Sequence, residues 1–396
     1  MLPELVILSN APGELSTWVY PVLREVAAQG VMARVSVLLQ PCEHAGGEEA
    51  ALAQSLPGVK RAADFWTALL WGKFPAGWDW GPRGVVVFLG GDPTWAVGWG
   101  RRLGYPVVVY AEERAQRYRG VHQVMARTPA VAAGVPPSHR HRVQVIGDLM
   151  VSQPLWPATA RENLVLFLPG SKPGKLQQGV PLCLAIADLL QQRDPELQLA
   201  IALAPTVTPA TLAQYATAQN PALPLVYGTT AVLTGDRLIT PQGTVVQLQR
   251  TFPAGELLQR AQIAVTTVGA NTAELAALGV PFVVLLPSNQ LDAMRTWPGL
   301  PGVLARLPGV GSAIARLVNW VAFQRLGLLA WPNIWAGEEV VPELRGHLTP
   351  QQVADTVDRL RQDPEALQTL RARLIELAGD RQAAQRLVTY LRSLLA

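Results

Sequence analysis

The stretch Gly84–Leu89 (GVVVFL) is a continuous β-branched and apolar run that empties into Gly90-Gly91. A strand that is apolar at odd and even positions alike has no face to give to water. It is buried on both sides, as in a parallel sheet covered by helices. Related runs occur at Leu5–Ser9, Arg34–Leu39, Pro106–Tyr110 and Arg142–Ile146, with a helical pattern over Thr17–Gln29. Strands alternating with helices read as a doubly wound α/β sheet. After a Pro-containing connector, Ser152–Ala160, the pattern restarts. Strands are expected at Asn163–Leu168, Gln198–Leu203, Ile263–Thr267 and Phe282–Leu286, with strand-like runs at Ala231–Ile239 and Thr244–Gln249. Helices are expected at Val180–Arg193, Pro209–Gln219, Ala254–Arg260 and Asn271–Leu278, and Thr349–Ala396 is helical throughout. The chain therefore reads as two Rossmann-like halves, 1–155 and 156–378, closed by a helix over 379–396.

Composition narrows the function. Apolar residues make up 49% of the 396 and charged residues 16%, which excludes a disordered chain. A net charge of +4 with no nucleic-acid motif argues against nucleic acid as a partner. The two cysteines, Cys42 and Cys183, build no disulfide framework and point to a reducing compartment. No uninterrupted apolar stretch is long enough to span a bilayer, and the N-terminus lacks the features of a signal peptide. Ten of the twelve Trp lie in two stretches, Trp66–Trp99 and Trp297–Trp335. Trp and Arg among apolar residues suit a headgroup-level anchor, and Arg101–Arg142 holds eight Arg that add a candidate anionic-lipid patch. The expectation is a cytoplasmic protein, peripheral on the inner face of the plasma membrane.

Five motifs stand where α/β sheets bind ligands. In Phe167–Lys172 (FLPGSK) a strand runs into Gly170, Ser171 and Lys172, which suits a diphosphate, although the Walker A spacing is absent. In Val265–Pro281 a strand ends in Gly269-Ala270 before a helix that begins with Asn271 and Thr272; Glu274 follows, as a helix-dipole partner or a ribose ligand. In Phe88–Asp92 (FLGGD), Asp92 reads equally as a general base or as the cap of the next turn. Pro332–Leu344 gathers Asn333, Glu338, Glu339 and Glu343. Ser9–Ser16 places Gly13 and Glu14 in the loop after the first strand.

In type, order and spacing, FLPGSK, VGANTAELAALGVPFVV and PNIWAGEEVVPEL resemble three blocks of the lipid-A-disaccharide synthase family. Gly13-Glu14, Gly90-Gly91-Asp92 and Ile146-Gly147 are similar to weaker blocks of its N-terminal half. The chain departs from the family at Leu15–Trp18, at Tyr110–Ala115, at Lys172 in place of Arg, at Lys175 where an acid is expected, and at Asp148 in place of His. Most of the departures fall on the acceptor half.

The resemblance implies a GT-B glycosyltransferase: two facing Rossmann-like domains with parallel sheets, and a last helix crossing back to the first domain. It implies a hexosyltransferase that moves a sugar from UDP to a lipid acceptor with inversion, in glycolipid biosynthesis, with no metal or other cofactor. Asp92 would be the base. Gly170, Ser171, Lys172, Gly269, Ala270, Asn271, Thr272, Glu274, Asn333 and Glu338 would bind the donor, with Gly13 and Glu14 in an acceptor or cleft loop. A homodimer stays open. The alternatives are a UDP-N-acetylglucosamine 2-epimerase-like enzyme and a non-catalytic nucleotide-sugar-binding protein.

Overall fold

The computed structural model describes residues 2–10, 12–40, 48–64, 78–113, 119–154, 161–287 and 327–396. The chain divides into two units: Met1–Leu155 with Ala378–Ala396, and Trp156–Leu377.

Unit 1 is built on β1 (Glu4–Ser9), β2 (Arg34–Leu39), β3 (Val59–Asp64), β4 (Gly84–Phe88), β5 (Val107–Ala111), β6 (Gln123–Ala126) and β7 (Val143–Val145). They form one parallel sheet in the order β3-β2-β1-β4-β5-β6-β7. Every residue of β1, β4 and β5 is buried, as the apolar sequences of β4 and β5 require; β1 (ELVILS) also buries Glu4 and Ser9 at its ends. Two strands carry no such run. β3 (VKRAAD) is an edge strand with half-exposed positions, and β6 is only Gln123–Ala126. The helix Ala383–Leu395 buries Leu387, Val388 and Leu391 against the helix Tyr20–Ala28 and β4. Arg386 fastens it by donating to Ile146 O at 2.9 Å.

Unit 2 is built on β8 (Leu164–Leu168), β9 (Gln198–Ala202), β10 (Val232–Thr234), β11 (Arg237–Ile239), β12 (Val245–Gln249), β13 (Ile263–Thr267), β14 (Phe282–Pro287) and β15 (Glu343–Gly346). Their order is β10-β11-β12-β9-β8-β13-β14-β15, parallel except for the antiparallel β10-β11-β12 edge. The run Ala231–Ile239 is thus two strands, because Gly235, at φ 59°, turns the chain between Thr234 and Arg237. The first long helix begins at Pro173 rather than Val180 and keeps Pro181 inside it. A proline there has no N–H to give the Gln177 carbonyl. Asn220 Nδ2 donates to that carbonyl instead, at 2.7 Å. The C-terminal helical run resolves into Pro350–Arg361, Pro364–Ala378 and Ala383–Leu395, the first opened by a Thr349/Gln352 capping box.

In each sheet the chain adds strands first to one side and then to the other of its first strand, switching at a reversal point between β1 and β4 and between β8 and β13. The crevice at the carboxyl ends of such a strand pair is where open α/β sheets take their ligands.

Candidate functional site

In unit 1 the loops after β1 and β4 flank the reversal point. After β1, Asn10 leads into a helical turn, Pro12–Glu14, which carries Gly13 and Glu14 where the sequence suggested a loop; the loop after β4 holds Gly90, Gly91 and Asp92. Gln40, at the end of β2, clamps the second loop. Its Oε1 accepts from Asp92 N at 2.7 Å and its Nε2 donates to Gly90 O at 3.2 Å. Gly91 has φ 94°, and a Cβ there would lie 2.4 Å from Gln40 Oε1, so the loop requires glycine. Asp92 is exposed and caps the helix Pro93–Leu103, its Oδ1 accepting from Thr94 N at 2.8 Å and from Thr94 Oγ1 at 2.5 Å. Of the two readings open in the sequence, the capping geometry is therefore present. Gly13 is exposed and its carbonyl accepts from Thr17 Oγ1 at 2.9 Å.

A cavity of about 200 Å³ opens beside this loop, lined among others by Trp18, Gly90, Gly91, Tyr110, Glu112 and Glu113. Glu112 follows β5, where no sequence motif drew attention to it. Burial pushes its carboxyl up to about 7, a rise opposed by Arg127 and reinforced by Asp148, Glu113 and Glu14.

In unit 2 the loops after β8 and β13 are brought side by side by the pairing of Thr266 with Leu168. Gly170, at φ 102°, lets Lys175 fold across it: a Cβ on Gly170 would lie 3.0 Å from Lys175 Cδ. Lys175 then reaches the other loop and donates to Val268 O at 2.5 Å. This lysine, one turn into the helix, bridges the two motifs and was missed as a site residue in the sequence. Burial, with the charge of Lys172 adding to it, lowers its ammonium to about 8. No carboxylate pairs with it among the described residues. Ser171 and Lys172 are half-buried at the loop, and Lys172 stands at the helix N-terminus.

The other donor candidates divide. Among the described residues the backbone N–H groups of Gly269, Ala270 and Asn271 have no acceptor. Asn271 Nδ2 donates to Thr266 Oγ1. Glu274 is half-buried, its carboxyl raised to about 7 by burial. Thr272 is 0% exposed and engaged on both sides, donating to Gly269 O at 2.9 Å and accepting from Trp331 N at 3.1 Å. Asn333 does not line a pocket: it is 0% exposed. Its amide donates to Val341 O at 2.9 Å and Glu343 Oε1 at 2.8 Å, and accepts from Val340 N at 2.8 Å and Val341 N at 2.9 Å. Glu343 also accepts from Leu329 N and Ala330 N and pairs with Arg345. Asn333 and Glu343 therefore fold the loop into which the sequence reading placed a donor contact. Glu338 is exposed and lies 4.0 Å from Arg373.

The anchor reading loses part of its support. Trp78 and Trp80 are half-buried against the core of unit 1, with the Arg61 guanidinium 4.5 and 4.7 Å from their rings. Trp66, Trp71 and residues 288–326 lie outside the described residues. Within the Arg-rich stretch, Arg127 pairs with Asp148, while Arg140 and Arg142 donate to backbone carbonyls. Among the described residues no helix is long and apolar enough to cross a membrane. Nor, among them, does any group of three or more His, Cys, Asp or Glu stand where it could hold a metal ion.

No family model matches the chain. It is similar to lipid-A-disaccharide synthases: 26% identical over 275 residues to that of Geobacter metallireducens (69% of this chain, 52% of the relative). The identity is 25% over 316 residues to that of Gluconobacter oxydans (76% and 53%). To that of Myxococcus xanthus it is 25% over 312 residues (72% and 69%). The chain spans about half the length of the first two. Among solved structures it is similar to the UDP-GlcNAc 2-epimerase of Neisseria meningitidis bound to UDP-GlcNAc, with TM-score 0.51, 14% identity and coverage of 98% and 99%. A second likeness is to a putative UDP-N-acetylglucosamine 2-epimerase of Listeria monocytogenes, with TM-score 0.51, 10% identity and coverage of 99% and 96%. The fold is accordingly α/β of the GT-B type, with two parallel-dominated sheets.

Proposed function

Taking the chain as a divergent member of the lipid-A-disaccharide synthase family, we propose that it is a glycosyltransferase moving a sugar from UDP to a lipid acceptor. The observation that carries this reading is the Lys175 bridge between the loops after β8 and β13. It puts a buried, carboxylate-free ammonium at the reversal point of unit 2, beside Lys172, Ser171 and unpaired backbone N–H groups. A diphosphate supplies the charge and the acceptor oxygens that this arrangement lacks. Glu274 takes the ribose hydroxyls. The neighbour bound to UDP-GlcNAc supports a nucleotide sugar as ligand.

In the reaction, an acceptor hydroxyl oxygen attacks the anomeric carbon from the face opposite the diphosphate. The new C–O bond forms as the bond to the diphosphate oxygen breaks, and that oxygen leaves with the electron pair. The hydroxyl proton passes to a carboxylate at the mouth of unit 1, where the resemblance points to Asp92. The two lysines and the loop N–H groups stabilise the charge developing on UDP, and no metal ion or cofactor enters this reading. Action at the cytoplasmic membrane surface belongs to the same proposal.

The test is a panel of UDP-sugars incubated with total membrane lipid and read by mass spectrometry. A glycosylated lipid and stoichiometric UDP release are expected with one donor. Epimerised UDP-N-acetylglucosamine without acceptor would replace this reading with the epimerase. Donor binding without turnover of any kind would leave a nucleotide-sugar-binding protein.

A further inference from the structure

We infer that the cavity at the mouth of unit 1 is a subsite for a hydroxyl-bearing sugar ring, and that Glu112 is the group that exchanges a proton with it. The inference rests on the glycosyl-transfer reading and deepens it on the acceptor side, where the chain departs most from its relatives.

Among the described residues, three buried polar atoms have no hydrogen-bond partner here: Trp18 Nε1, on a residue that lines the cavity, and Ser9 Oγ and Asn10 Oδ1, behind Gly90. Ser9 is 0% exposed. A Cβ built on Gly90 would lie 3.0 Å from Asn10 Oδ1 and 3.4 Å from Ser9 Oγ, and Gly90 and Trp18 both line the cavity. Leaving such atoms unpaired is costly, so a cluster of them marks a place where a ligand completes the bonding. The set offers an indole donor, an amide acceptor and a hydroxyl that does either. A ring carrying several hydroxyls matches all three, whereas an acyl chain would match none. A phosphate is disfavoured by the acids gathered here: Glu14, Asp92, Glu112 and Glu113. Trp18 and Tyr110, edge to face with centroids 5.7 Å apart, give the cavity an aromatic wall.

Glu112 is the acid suited to proton transfer. Arg127, the cation that acts on it, also pairs through NH1 with Asp148 at 3.2 Å and donates through Nε to the Glu112 backbone carbonyl at 3.1 Å. Burial raises the half-buried Glu112 carboxyl to about 7, against the opposing charge of Arg127 and with Asp148, Glu113 and Glu14 reinforcing the rise, and near 7 a general base is most effective. Glu112 thereby takes the role for which the resemblance points to Asp92, whose Oδ1 caps a helix. In the transfer step the acceptor O–H proton moves to a Glu112 carboxylate oxygen as the hydroxyl oxygen bonds to the anomeric carbon and UDP departs.

Two measurements test this. Saturation-transfer NMR with millimolar N-acetylglucosamine reads ring binding without any donor. Wild type is expected to bind with an affinity that changes through pH 7. Ser9→Ala and Trp18→Phe are expected to weaken binding at unchanged denaturation midpoints, and Glu112→Gln to make it independent of pH. With the active donor, Glu112→Gln is expected to slow transfer by about 100-fold or more and to abolish the rise in rate through pH 7. Undiminished ring signals in both Ser9→Ala and Trp18→Phe, or an unchanged pH profile in Glu112→Gln, would overturn the inference. If no donor turns over, the transferase reading fails, while the pH-dependent ring binding still decides the subsite.

Discussion

Replacing Asn333 by alanine decides whether this residue holds a loop or a ligand. The side chain makes four hydrogen bonds of 2.8–2.9 Å, three of them with the backbone of Val340 and Val341 and one with Glu343. Truncation removes all four and strands the Val341 N–H in a fully buried place. At about 1 kcal/mol for each bond lost, and more for a buried donor left unpaired, unit 2 loses on the order of 3–5 kcal/mol. With an m-value of about 2–3 kcal/mol/M, the urea midpoint falls by about 1–2 M. Hydrogen exchange of residues 329–346, followed by mass spectrometry, should show protection lost first at Val340 and Val341. UDP affinity, measured well below the transition, should stay unchanged. Asn333→Asp should be worse than alanine: it replaces two donors by acceptors and sets a carboxylate against Glu343 Oε1. That excess should shrink on acidification, as the new carboxyl gains a proton and can donate. An alanine variant of normal stability with weakened UDP affinity would refute this reasoning and return Asn333 to the donor pocket.

Lys175→Met should lower UDP affinity at least tenfold and yet raise stability at pH 7. A fall from the ordinary value to about 8 corresponds to up to about 3 kcal/mol of unfavourable charge burial, present in full below pH 8 and relieved as pH climbs towards the unfolded value. In wild type, UDP binding should weaken as pH rises through about 8 and should take up protons near that pH, both readable by calorimetry in two buffers; Lys175→Met should show neither. Glu4→Gln should cost unit 1 about 3 kcal/mol in urea unfolding, because Glu4 is 0% exposed and pairs with both Arg34 and Arg61. Trp78→Phe combined with Trp80→Phe should leave cosedimentation with anionic vesicles unchanged, since both rings already pack on Arg61 and the unit 1 core.

The elements legible in sequence were those whose environment is uniform. β1, β4, β5, β8 and β13 lie inside their sheets and read as apolar runs, unbroken in β4, β5 and β8, and the glycines after β4 and β8 marked the loops at both reversal points. β3 was not legible, because an edge strand is half-exposed and its sequence, VKRAAD, carries charges. β15 was not legible either: Glu343 and Arg345 pair with each other inside the strand, so a buried position reads as polar. The same confusion governed the site. Asn333 looked functional because it is polar among apolar neighbours, but that is equally the signature of a buried amide that satisfies a loop. Lys175 and Glu112 were overlooked for the converse reason. A lysine in the first turn of a helix and a glutamate after a strand look solvent-exposed until the fold shows where each side chain goes.

The two reversal points carry opposite charge, and that contrast bears on chemistry. Unit 1 gathers Glu14, Asp92, Glu112 and Glu113, while unit 2 gathers Lys172 and Lys175 with no carboxylate on the bridging lysine. Neither arrangement helps folding. Like charges crowded together repel, and a buried ammonium without a counter-ion is unfavourable. Strain of this kind persists where a ligand relieves it: a polyanion on the lysines, and a proton moving on and off the acids. The chain departs from its relatives at these same places, with lysine in place of an arginine and an acid in unit 2, and Tyr110–Ala115 in place of an aromatic block in unit 1. In unit 2 both changes leave a cation at the loop, Lys172 and Lys175, as the proposed diphosphate site requires. In unit 1 the departing block carries two acids, Glu112 and Glu113, which line the cavity.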